Sequence, residues 1–195
     1  MKMGRFCKLV VVGDTAVGKT CLCYSYAEKE FPGPGRSVFY SYADDVVVGS
    51  ETWTFSLWDM PGADEHERLR PLAYADADVF LVCFSIALPD SLQNAQQKWF
   101  HEVQHYRPGV PCVLVATQTD LRSNEDAAES LVSTAQGERM AYQLGAARYL
   151  ECSAKTLQGV ETVFQEALAE AVAHKKKLQQ SKQPTLMESS KYIVL

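Results

Sequence analysis

The residues best suited to chemistry lie near the start of the chain. Gly13-Asp14-Thr15-Ala16-Val17-Gly18-Lys19-Thr20 fits the pattern G-x-x-x-x-G-K-[ST]. Its glycines let backbone N–H groups turn inward around phosphate oxygens at the N-terminus of a helix. Lys19 is spaced to reach the β and γ phosphates of a nucleotide, and the Thr20 hydroxyl to ligate Mg²⁺. A chance glycine turn would satisfy the same letters, so the motif counts only with a strand before it and a helix after it. Both are expected: residues 6–12 (FCKLVVV) are a valine-rich apolar run stopped by Gly13, and residues 21–30 have helical spacing. Alone, the motif means a P-loop NTPase or a kinase.

Three further segments narrow the ligand. Trp58-Asp59-Met60-Pro61-Gly62 holds a D-x-x-G, in which the aspartate holds Mg²⁺, usually through water, and the glycine N–H meets the γ phosphate. In Thr117-Gln118-Thr119-Asp120, the Asp120 carboxylate can accept paired hydrogen bonds from the N1–H and N2–H₂ groups of guanine, a pair that adenine lacks. In Cys152-Ser153-Ala154-Lys155 a backbone N–H can serve guanine O6. Singly each is weak, because an aspartate after a strand commonly caps a helix or is solvated. Together they fall in order, each at the C-terminal end of an expected strand, the edge where open α/β sheets bind ligands.

Positioning these segments falls to alternating strands and helices. Continuous apolar runs at 6–12, 79–84 and 112–116, and a weaker one at 148–152, read as strands covered on both faces. Residues 46–48 and 53–58 read as a hairpin turned around Gly49-Ser50, and helical spacing fills 21–30, 90–106, 135–144 and 160–177. The expected fold is α/β: a mostly parallel six-stranded sheet with helices on both faces. It forms one domain over 1–177, followed by a polar, Pro-interrupted tail over 178–195.

The 195 residues suit a single domain, here expected to be a monomer. Hydrophobic residues at 47% and charged ones at 22% exclude bulk disorder and a fibrous repeat. A net charge of −5 argues against a nucleic-acid binder. No apolar run reaches the roughly 18 residues of a membrane span, and the first residues have no signal-peptide segment. Six cysteines without a CxxC pair read as free thiols of a reducing compartment, which gives a cytoplasmic expectation.

On these residues the chain resembles the Ras superfamily of small GTPases and, within it, the Rho family. The specific wording is GKTCL at 18–22, RLRPLAY at 68–74, DVFLVCFS at 78–85 and YLECSA at 149–154, within a likeness covering about 5–175. The resemblance implies a P-loop G domain that binds GTP and GDP with Mg²⁺ and signals through two nucleotide-sensitive loops, here 31–42 and 59–74. It adds Cys21 and Leu121 to the nucleotide-binding set. Phe31 becomes the aromatic set edge-on to guanine, with a core role as the other reading. Ser37 becomes the second hydroxyl ligand of Mg²⁺, unless it merely caps a turn. Effector proteins would contact Val38, Phe39, Tyr42, His66, Leu69 and Leu72. Trp58 matches the residue by which Rac-like proteins choose exchange factors, although plain core packing is also open. Residues 122–136 stand where Rho proteins carry an insert helix.

The departures from that pattern bear on mechanism. The glutamine that orients the attacking water is replaced by Ala63, with only Asp64, Glu65 and His66 nearby. Thr15 stands where most members carry glycine, and crowds both the γ phosphate and the entry of a GAP arginine. No catalytic residue is intact, so turnover is expected at or below the slow intrinsic rate, on the order of 10⁻⁴ s⁻¹. Met60-Pro61 stiffens the start of this loop. Gly35-Arg36-Ser37 before Val38-Phe39 is one residue shorter than the usual run and lacks its tyrosine. Gln118 replaces a lysine whose stem covers the base, so packing there should loosen and exchange quicken. Tyr192 takes the place of the prenylated cysteine. Lys175, Lys176 and Lys177 could add about 1 kcal/mol each near an anionic surface, too little for a stable anchor without lipid, and otherwise simply finish a helix. The expected protein binds Mg·GTP, hydrolyses it poorly and engages effectors, with GAP action in doubt. Its alternatives are a conventional hydrolysing switch and a nucleotide-free scaffold.

Overall fold

Alternate residues of the first strand enter different cores. In β1 (Phe6–Gly13), Cys7, Leu9 and Val11 face one cluster while Val10 and Val12 face the other. The structure is a computed structural model describing residues 5–33, 41–63, 68, 70–123 and 130–181. The same division recurs in β4 (Val79–Ser85) and β5 (Cys112–Thr117), all of whose residues are buried. A strand covered on both faces needs apolar residues at every position, which is why these runs are continuous.

The sheet has six strands in the order β2-β3-β1-β4-β5-β6, with β2 (Ser41–Val48), β3 (Glu51–Asp59) and β6 (Arg148–Glu151) completing it. Only the β2–β3 pair is antiparallel. Register pairs Val11 with Asp59, Gly13 with Cys83 and Ser85 with Thr117, so the candidate loops leave from one edge.

Helices α1 (Lys19–Glu28) and α6 (Val160–Ser181) cover one face, where Tyr26 stacks on Phe164 at 4.0 Å. The short α2 (Arg70–Tyr74), α3 (Pro89–Asn94), a π-helical turn over Ala95–Phe100, α4 (His101–Tyr106) and α5 (Thr134–Leu144) lie with the other. Helix α1 ends before the expected Glu30, because Lys29 adopts φ 58°. Helix α6 runs to Ser181, past the expected Lys177. There Lys175 pairs with Asp78 at 2.9 Å and Lys176 with Glu51 at 2.7 Å. The stretch 90–106 is helical as expected, but its middle is widened to π geometry.

All six cysteines are free thiols; five are buried and Cys21 is half-buried. Burial pushes the thiols of Cys7, Cys83 and Cys112 up to about 12, which makes them inert near neutrality.

Candidate nucleotide-binding site

The loop between β1 and α1 depends on close backbone approach. A Cβ at Gly13, whose φ is +144°, would collide with the Cys83 carbonyl oxygen. Lys19, 6% exposed, donates from Nζ to the Asp14 carbonyl at 2.6 Å. Burial holds its ammonium below the usual lysine range, so an anion in the loop would be favoured there. Thr15 is exposed on this loop. Gly62 rests on the same backbone: a Cβ there would lie 2.5 Å from Thr15 N and 2.6 Å from Gly13 O. Only glycine permits that approach.

Thr20 Oγ1 donates to Asp59 Oδ2 at 2.5 Å, while Asp59 Oδ1 is buried with no hydrogen-bond partner among the described residues. Burial pushes the Asp59 carboxyl above its ordinary range. A hydroxyl beside a carboxylate with a spare buried oxygen is a donor set that fits Mg²⁺. The third expected ligand, Ser37, lies outside the described residues, as do Asp64, Glu65 and His66 beside Ala63.

Beyond Gly18 opens a cavity of about 310 Å³ between the P-loop and the ends of β5 and β6. Cys21, Phe31, Gln118, Asp120, Leu121, Ala154 and Lys155 line it. Phe31 is 46% exposed at the site, which corrects the core reading. Asp120 accepts from Ser153 Oγ at 2.6 Å through Oδ1, and its Oδ2 lies 4.0 Å from Lys155 Nζ. The two base loops are tied by Thr119 N donating to the Cys152 carbonyl at 3.2 Å. Thr117 Oγ1 lies 2.6 Å from the Val17 carbonyl and 2.9 Å from that of Phe84, fixing the P-loop to the strand ends.

Gln118 differs from the sequence expectation of a merely shortened cover for the base. In a left-handed conformation (φ 61°), it accepts from Ser85 Oγ at 2.6 Å and donates from Nε2 to the Ala16 carbonyl at 3.2 Å. Its amide therefore bridges β4 and the P-loop. A glutamine can accept the serine proton and still donate, which a lysine ammonium cannot.

Several residues that sequence reasoning missed hold this constellation. Asp14 receives Asn94 Nδ2 and Trp99 Nε1, each at 2.7 Å, one on each carboxylate oxygen. Asn94 and Trp99 are five residues apart, which regular α-helix would set about 140° apart around the axis. The π turn removes that mismatch. Fully buried Arg70 forks onto Glu102 at 2.8 and 2.9 Å and gives Nη1 to the Ala63 carbonyl at 3.2 Å. Arg122 forks onto Glu151 at 2.6 and 2.9 Å and donates to the Val132 carbonyl. Two residues past Asp120 and one before Cys152, that last pair had a signal in its closeness to the motifs.

Both glutamates are buried enough to resist ionisation, yet their arginine forks and tyrosine hydroxyls more than offset this and hold them below the usual carboxylate range. A depressed carboxyl contributes stability that is complete at neutral pH. That contribution fades as pH falls past the ordinary glutamate value near 4.3 and vanishes below the lowered folded-state value. Thermal midpoints measured from pH 7 to 3 should fall in that window, and Glu151→Gln should flatten the acid limb. An unchanged slope in that variant would show that the Arg122 fork contributes nothing.

Of the expected effector residues, Tyr42 is half-buried on β2 and bonds Asp44 at 2.9 Å, and Leu72 is 73% exposed. Val38, Phe39, His66 and Leu69 lie outside the described residues. Trp58 is 38% exposed with Lys8 Nζ 4.3 Å from its ring centroid, so plain core packing does not describe it.

The sequence pattern of the Ras family matches residues 8–173. GTP-binding protein RHO1 of Candida albicans is 44% identical over 183 residues, a match spanning 90% of this chain and 92% of that protein. With both likenesses running across the sheet and every loop of the site, the chain belongs to the Rho family of Ras-type small GTPases.

Proposed function

We propose that this protein binds Mg·GTP, hydrolyses it poorly, and signals by presenting its two switch loops to effector proteins. The observation that carries the reading is Ala63. It follows the glycine that rests on the P-loop, and it offers a methyl group where a water must be oriented for in-line attack.

Lys19 and the P-loop N–H groups would hold the β and γ phosphates. Thr20 and Asp59 would hold Mg²⁺, which when bound neutralises developing phosphate charge. Asp120, kept in place by Ser153, would read the guanine N–H groups, with Phe31 beside the base. Thr15 on the phosphate side would obstruct an arginine from a GAP. Exposed Leu72 supports an effector surface, and exposed Trp58 supports contact with an exchange factor. Lys175 and Lys176 being engaged in ion pairs supports weak membrane contact.

Denaturing the purified protein and identifying the released nucleotide by ion-exchange chromatography tests the reading. GTP is the expected result; GDP would mean that hydrolysis survives and would overturn it. The Gln118 bridge gives a second measurement. Ser85→Ala leaves the Gln118 carbonyl oxygen without its donor, a loss of about 1 kcal/mol. Release of a fluorescent GDP analogue should then quicken by roughly fivefold. An unchanged rate would mean that the bridge does not support the bound base.

A further inference from the structure

Gly62 and Asp14 are linked by a second route, through side chains of α2, the π-helical turn and α4. Arg70 Nη1 holds the carbonyl of Ala63, next to Gly62. Its other nitrogens are fixed by Glu102, which also accepts from Tyr74 Oη at 2.6 Å. The guanidinium lies 4.9 Å over the Trp99 ring, and the Trp99 indole donates to Asp14. Asp14 closes the circuit, because Gly62 packs on the backbone of residues 13–15. Every member of this circuit except Glu102 is itself in the P-loop, in the loop after β3 and its short helix, or on an indole touching Asp14. Glu102 lies on α4, outside both loops, and accepts from two arginine nitrogens at once.

We propose that Glu102 is a positioning residue for the γ-phosphate side of the site, acting through Arg70 on the Ala63–Gly62 backbone and through the Arg70–Trp99 stack on Asp14. This rests on the reading that a guanine nucleotide occupies the P-loop. The circuit meets the site at Gly62 and Asp14 and not at Asp120 or Lys155, so its loss should be felt by a triphosphate and hardly by a diphosphate. In a chain whose residue 63 has no polar side chain, this fork fixes the carbonyl of the residue that follows the glycine.

The test compares release of a fluorescent, non-hydrolysable GTP analogue with release of the matching GDP analogue from the full chain, wild type against Glu102→Gln. Glutamine keeps the shape and removes the charge. The triphosphate should leave on the order of tenfold faster, the scale of a residue that couples without contact, while diphosphate release stays within about twofold. Tyr74→Phe removes one hydroxyl from the same carboxylate, remains folded by its ring packing on Phe80 at 5.3 Å, and should move the same ratio by a smaller factor. Equal acceleration of both analogues, or a lowered thermal midpoint with an unchanged ratio, would make Glu102 a purely structural residue and overturn the proposal. A wild-type chain that holds neither analogue would overturn the proposal and the reading of the site together.

Discussion

The double substitution Ala63→Gln with Thr15→Gly should yield a protein whose bound GTP a GAP can discharge, where the proposed function has the wild type resist it. On that reading two separate deficits are repaired. Glutamine at position 63 returns an amide able to orient the attacking water, and glycine at position 15 clears the approach of an arginine to the γ phosphate. An arginine finger is worth roughly 10³–10⁵ in rate, or about 4–7 kcal/mol of barrier. Single-turnover phosphate release should therefore stay on the order of 10⁻⁴ s⁻¹ or lower for the wild type with or without a Rho-family GAP. The double variant should rise by at least about 10³ when the GAP is added. Either single variant should recover only part of that gain, because orientation and charge stabilisation act on one transition state and are not additive. A wild type accelerated as strongly as the double variant would mean that neither Ala63 nor Thr15 limits turnover.

Asp120→Ala should abolish the distinction between guanine and adenine. Asp120 is held by Ser153 Oγ and lines the cavity with its second oxygen turned toward Lys155. Two charge-assisted hydrogen bonds to the base are worth about 1.5–3 kcal/mol each, so affinity for GDP should fall by roughly 10²–10⁴. The wild-type preference for GTP over ATP should be on the order of 10⁴, because a site built to pair polar groups rejects a ligand that leaves them unpaired. Competition of both triphosphates against a fluorescent GDP analogue measures the two quantities together. Retained preference in the alanine variant would place base selection elsewhere, at the 152–155 backbone.

The sheet and the loops at its edge were legible because each has a local cause. Residues 79–85 are buried on both faces, so their hydrophobicity is continuous and unmistakable. The phosphate loop is a contiguous motif, Asp59 ends a strand, and Asp120 and Ser153 each follow one. The beginning of β2 was not legible: Ser41, Ala43, Asp44 and Asp45 are exposed on an edge strand, where pairing to β3 and not burial makes the strand. Nor were the supports of the site. Arg70 and Glu102 are 32 residues apart, Arg122 and Glu151 are 29 apart, and Trp99 is 85 from Asp14. Such pairs are made by the topology, and nothing beside Arg70 in the sequence points to Glu102, while Arg122 and Glu151 show only in their closeness to the base motifs. The role of Gln118 was half legible. Its position in the base motif showed, but its partner Ser85 comes from the neighbouring strand end.

The outer strand β2 carries two adjacent carboxylates at its middle, Asp44 and Asp45, with Asp45 accepting from Thr54 Oγ1 at 2.6 Å. A second copy aligned antiparallel along that margin, which is unpaired among the described residues, would set these charges against their own counterparts. The like-charge contact disfavours self-templated growth into a cross-β ribbon. Among the described residues the margin is thereby better matched to a foreign strand that brings lysine or arginine to its centre than to the chain's own kind.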